Sequence, residues 1–160
     1  MESPQPNFRS TAYYAAQRSI DCRLCGGSTR IVALGLPANH EVLDEDAELD
    51  AAWQPVAANA LLFFLEQLPL AAEQQLRLLA PGFRRTPSEA AQHGFWANHC
   101  ERCDATLDDQ ELHCEPGDSF VPSSEAEGSK IRVIRIEEPI EVSAQGCSLD
   151  PAFLPFGRSS

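Results

Sequence analysis

Two Cys-x-x-Cys pairs, Cys22/Cys25 and Cys100/Cys103, are the residues of this sequence best suited to chemistry. Each pair offers two thiolates on one tight turn, and four sulfurs complete a tetrahedral Zn²⁺ site with ligands at about 2.3 Å. Such a site keeps no open coordination position, so its metal is structural, not catalytic. Rubredoxin-type iron needs the same sulfurs, but neither the chain length nor Asp104 points to it. A thioredoxin-like site needs only one pair and leaves the second without a purpose. A zinc deaminase needs H-x-E followed by P-C-x-x-C. Here His40 and Glu41 are adjacent, and His99 stands where that proline belongs.

The remaining reactive side chains form no recognisable catalytic set. His99 abuts Cys100 and is an alternative ligand or a donor to a sulfur. His113 lies beside Cys114, without a matching partner pair. Cys114 and Cys147 read as buried apolar residues, and His40 and His93 as surface or loop residues. No Ser/His/Asp grouping or phosphate-binding glycine loop stands out, so a non-enzymatic role is expected.

Charge narrows the partners. With 24 acids against 12 Lys and Arg, the formal net charge is -12. Such a surface repels nucleic-acid phosphates and anionic membranes, and it attracts a basic protein. The acids concentrate in residues 41–50 (EVLDEDAELD) and 104–118. Asp44, Glu45, Asp46, Asp108 and Asp109 are therefore the expected partner contacts. An immunity- or antitoxin-type inhibitor, whose carboxylates fill the basic cleft of a toxin or nuclease, is the concrete form of this expectation. The alternative is a zinc-ribbon accessory factor of a transcription or translation machine, using the knuckles and the basic strand 130–135.

These residues need elements to hold them. Residues 30–36 (RIVALGL) predict a strand leaving the first knuckle, and residues 57–68 (AANALLFFLEQL) a buried one. Pro69 predicts the N1 position of a helix over 69–80, stopped by Pro81-Gly82, with Ala72, Leu76 and Leu79 on one face. Thr86-Pro87-Ser88-Glu89 is a capping-box pattern for a short second helix ending at Gly94. Asp104, where a knuckle usually has glycine, must tolerate the left-handed conformation. Ser123 or Ser124 predicts the cap of one helical turn ending at Gly128. Residues 130–136 (KIRVIRI) alternate as a half-buried strand, and residues 140–142 continue the sheet.

The expected fold is α+β: a small antiparallel sheet carrying a Cys₄ zinc ribbon, with a helical insertion between the knuckles. Residues 1–19 read as a partly ordered arm, 20–147 as a single domain and 148–160 as a tail. No stretch is apolar enough to span a bilayer, and the first residues lack a signal-peptide pattern. Reduced cysteines in close pairs then fit the cytoplasm.

Residues 95–122, FWANHCERCDATLDDQELHCEPGDSFVP, resemble a motif of small, largely uncharacterised bacterial proteins with a split zinc ribbon. That motif reads W-x-N-H-C-x-x-C-G, followed by an acidic segment ending in F-x-P. Trp96, Asn98, His99, Cys100 and Cys103 match it, and Asp104 departs from its glycine. CRLCGGSTRIVAL resembles the first knuckle of the same proteins, so the similarity covers roughly residues 20–140. The resemblance implies a zinc-bound cytoplasmic protein and brings no activity.

Overall fold

The computed structural model describes residues 5–44, 52–87, 94–115 and 117–151. The strands, in chain order, are β1 (Phe8–Ser10), β2 (Tyr13–Asp21), β3 (Ser28–Leu36), β4 (His40–Asp44), β5 (Ala52–Val56) and β6 (Ala60–Gln67). They continue as β7 (Arg84–Thr86), β8 (Phe95–His99), β9 (Thr106–Leu107), β10 (Arg132–Ile136) and β11 (Ile140–Leu149). Helix α1 (Leu70–Leu79) follows β6, while the short α2 (Asp109–His113) and α3 (Glu125–Gly128) lie between β9 and β10.

All the strand pairs are antiparallel. The main path runs β10-β2-β3-β6-β11-β1-β4-β5, and β8 branches from β6 with β7 and β9 beside it. The sheet curls into a half-barrel.

Strand β3 shows why so apolar a run is needed. Val32, Leu34 and Leu36 enter one core, while Ile31 and Ala33 enter the core on the opposite face. A strand buried on both faces loses the polar half of its alternation. The first core lies under α1, which buries Ala72 and Leu76 and leaves Leu70 and Leu78 exposed. The second is closed by Leu107, Leu112, Phe120 and Ile131.

Strand β6 follows the same alternation through Ala60, Leu61 and Leu62, then breaks it. Phe64 has φ 54, a left-handed conformation that a bulky residue adopts only under constraint. The break inserts no residue at Phe64, because Gly146 of β11 faces Phe63 and Ala144 faces Leu65; the register shifts only beyond it, where Ser143 faces Gln67. Beyond the left-handed Phe64, Leu65 and Leu68 enter the first core.

The expected small sheet with a helical insertion is overturned. The insertion contributes β3 to β8, with α1 as the only helix among its described residues. The expected arm also differs, because β1 and β2 belong to the sheet and Tyr13 is 1% exposed. Both errors share a cause. Strand β2 (YYAAQRSID) gains its order from β3, which follows the first knuckle, on one edge and on the other from β10, a partner remote in sequence.

Several local expectations hold. Helix α1 occupies the predicted span, with Pro69 one position earlier, as N-cap. Ser124 caps α3 by accepting from the Glu127 N–H. Residues 132–136 form β10, and Asp104 has φ 66. The second capping box and the tail beyond 151 fall on residues outside those described. No helix among the described residues is long and apolar enough to cross a membrane.

Candidate metal centre

The two knuckles are turns of one design, at neighbouring ends of the sheet. The first joins β2 to β3 and the second joins β8 to β9. In the first, Gly26 N–H donates to the Cys22 carbonyl at 2.8 Å and Cys22 N–H to the Gly27 carbonyl at 2.9 Å. In the second, Asp104 N–H donates to the Cys100 carbonyl at 3.0 Å and Cys100 N–H to the Ala105 carbonyl at 2.9 Å. The turn demands positive φ after the second cysteine, which Gly26 supplies at 73° and Asp104 at 66°. Asp104 is further held by Arg84 Nη1 at 2.8 Å.

The turns bring the four sulfurs together. Cys22 Sγ lies 3.7 Å from Cys103 Sγ, and Cys25 Sγ lies 3.7 Å from Cys100 Sγ. All four ligand atoms fall within 4.8 Å of one another. A tetrahedral ion with ligands at 2.3 Å needs sulfurs about 3.8 Å apart, so the cluster fits a metal ion. Cys22 and Cys100 are buried, whereas Cys25 and Cys103 face solvent.

Backbone donors already favour thiolates within the cluster. Gly27 N–H approaches Cys25 Sγ and Arg102 N–H approaches Cys100 Sγ, both at 3.4 Å. The N–H groups of Cys103 and Arg102 lower the Cys100 thiol to about 6, and those of Cys25 and Leu24 lower Cys22. Cys103 is opposed: Ala105 N–H favours its thiolate, but desolvation and the three neighbouring sulfurs push it up to about 12. Four thiolates this close repel one another, and a dication removes that opposition.

Side chains lock one knuckle to the other. Arg30 Nη2 meets Glu101 Oε1 at 2.7 Å, while Arg30 N–H donates to Oε2 at 2.8 Å. Glu101 N–H in turn donates to Thr29 Oγ1 at 3.0 Å. Asn98 acts as a substitute peptide group: its Oδ1 accepts from Val32 N–H and its Nδ2 donates to the Val32 carbonyl, each at 2.9 Å. It thereby joins β8 to β3 where no ladder runs.

His99 is not a ligand. Its Nδ1 donates to the Gly82 carbonyl at 2.9 Å, which leaves Nε2 to accept from Thr86 Oγ1 at 2.9 Å. Gly82 is required there, since an added Cβ would lie 2.0 Å from the His99 carbonyl oxygen. Trp96 stacks on Phe83 with ring centroids 5.8 Å apart. Trp96, Asn98 and His99, before Cys100, therefore each have a structural task.

The other expected residues are scattered. His40 is 1% exposed, with Nδ1 on the Pro37 carbonyl at 2.9 Å, so it is a core residue and not a surface one. Cys114 is exposed rather than buried, and Cys147 is half-buried. Asp44 ends β4, paired with Ala52, while Glu45, Asp46 and His93 lie outside the described residues. Asp108 is exposed and caps α2 by accepting from Gln110 N–H at 2.7 Å. Its neighbour Asp109 is only 8% exposed, and Oδ2 accepts from the Phe64 N–H at 2.7 Å. That bond holds Phe64 in its left-handed conformation and draws Asp109 out of the exposed acidic surface.

Beside it lies a buried imidazole that the sequence did not disclose. His113 is 4% exposed, with Nε2 3.7 Å from Asp109 Oδ1 and its ring stacked on Phe120 at 5.0 Å. Burial pushes the Asp109 carboxyl up to about 7 and holds His113 down to about 3. The i, i+4 spacing of Asp109 and His113 was the available signal, hidden among many acids. No family model, curated protein or solved structure matches the chain. The resemblance of residues 95–122 accordingly stands on its own residues, and the geometry supports a four-cysteine metal-binding centre.

Proposed function

We propose that the protein is a non-enzymatic interaction module whose four cysteines hold a structural Zn²⁺. The sulfur spacing carries this reading: 3.7 Å on two edges suits a closed tetrahedron with all positions taken by protein ligands. Thiolate ligands select zinc or iron over hard cations. Native mass spectrometry of gently purified protein is expected to show one zinc per chain and a colourless solution. A folded, metal-free chain, or one with the visible absorption of iron–thiolate, overturns the metal assignment.

The excess of acids supports a basic protein as partner, with an immunity- or antitoxin-type inhibitor as the specific form. Capture of partners from the source cell is expected to fail when Asp44, Glu45, Asp46 and Asp108 are changed together to their amides. Undiminished capture sinks that reading. Direct nucleic-acid binding is disfavoured because its best basic face is internally neutralised. Lys130 pairs with Glu127 at 3.0 Å, and Arg135 pairs with Glu137.

A further inference from the structure

A cleft of about 450 Å³ opens between β6, β8 and the start of α2, away from the cysteines. Phe64, Phe95 and Pro87 give it apolar walls, while Asp108, Asp109 and Gln145 supply acceptors. The two phenyl rings lie 5.3 Å apart, and no Lys or Arg is among the described residues lining the cleft. Asp109 uses Oδ2 to hold Phe64 in its left-handed conformation. Its Oδ1 makes no hydrogen bond among the described residues, with His113 Nε2 at 3.7 Å.

Aromatic faces beside carboxylates are the chemistry that receives an organic cation. A guanidinium suits it better than an ammonium, because it is planar, stacks on rings and donates to two acceptors at once. We propose that this cleft is the receptor for an arginine side chain presented by a basic protein partner. The inference rests on reading the protein as an acidic interaction module, and it names the group the partner inserts. Burial beside Asp108 pushes the Asp109 carboxyl up, and a seated guanidinium restores its ionised form. The left-handed backbone at Phe64 fits the same purpose, since strained backbone persists where surrounding bonds over-determine it.

The test uses the full chain with its metal, followed by amide NMR. The titrants are the blocked peptide Gly-Gly-Arg-Gly-Gly, the same peptide with citrulline for arginine, and agmatine. The arginine peptide is expected to shift Phe64, Phe95 and Gln110 saturably and to bind at least tenfold tighter than the citrulline peptide. Asp109→Asn, which keeps an acceptor for the Phe64 N–H, and Asp108→Asn, which keeps the α2 cap, are each expected to weaken binding about tenfold. Dispersed spectra of both variants report that the fold is intact. Equal binding of the two peptides, or shifts away from the cleft, overturns the proposal. Binding of agmatine but not of the arginine peptide overturns the partner as source and assigns the cleft to a small free cation. Partner capture that survives both single variants sinks the cleft and spares the interaction reading. Peptide binding without any basic partner does the reverse.

Discussion

Asp109 and His113 are both buried on α2, and their protonation is inverted relative to the unfolded chain. The aspartate rises from 3.8 to about 7, so its contribution is full below 3.8 and is lost as pH rises toward 7. The histidine falls from 6.5 to about 3, so its contribution is full above 6.5 and is lost as pH falls toward 3. Between 3.8 and 6.5 folding therefore moves one proton from His113 to Asp109, and the two slopes cancel. Asp109→Asn removes one of them. Stability of the variant minus that of the natural chain is expected to rise with pH across this window, by about 1.4 kcal/mol per pH unit. Urea unfolding at a series of pH values reads that difference, and parallel curves would remove the inverted pair. Asp104 offers a second single-residue test. Its φ of 66 favours glycine, and its bond to Arg84 is exposed and therefore weak in effect. Asp104→Gly is expected to raise the melting temperature by roughly 2–4 °C. A fall in melting temperature would mean that the Arg84 contact outweighs the backbone strain.

At the scale of elements, β3 and β8 are neighbours joined by a side chain. Asn98 satisfies both Val32 backbone groups, so Asn98→Ala leaves a buried donor and a buried acceptor unmet. At about 1–3 kcal/mol for each unmet group, the loss is about 2–6 kcal/mol. Faster hydrogen exchange at the Val32 amide should accompany it, and an unchanged rate there would show that the bridge contributes nothing. How far such relations can be read from sequence depends on their range. The knuckles, α1, the Ser124 cap and the strained Asp104 were legible because each is set within a few consecutive residues. Strand β1 was not, because Phe8 gains its order from Val142 and Val42, far along the chain. The same holds for His40 and Asp109. Polar side chains enter a core only where a partner meets them, the local Pro37 carbonyl for His40 and the distant Phe64 N–H for Asp109, and composition places both outside. The four clustered cysteines were legible because spacing within each pair sufficed; Asn98 looked like part of a motif, and its partner 66 positions away was invisible.

The described residues form two cores on opposite faces of one sheet, and only one contains cysteines of the cluster. Cys22 and Cys100 are packed with Ile31, Ala33, Leu107, Leu112 and Phe120. The opposite core joins α1 to Leu34, Leu62, Val142 and Ala144 and includes none of the four ligands. A structural zinc site contributes on the order of 10–16 kcal/mol in small peptides, comparable with the whole stability of a domain. On the proposed function, removal of such an ion from the cysteine cluster is expected to be felt, but not equally everywhere. Without the ion, the ends of β2–β3 and β8–β9 are tied by Asn98 and by the largely exposed bonds of Glu101 to Arg30 and Thr29 and of Arg102 to Ser28, while the face under α1 keeps all its contacts. Chelation is expected to expose the amides of Ile31 and Leu107 to hydrogen exchange well before those of Leu62 and Val142. Cys22→Ser and Cys103→Ser should reproduce that asymmetry. Cys147→Ser, half-buried opposite Leu62 and remote from the cluster in its pairing, should leave both faces protected. Simultaneous loss across both faces would mean that the sheet transmits the metal's hold to its far side and that the molecule unfolds as one unit.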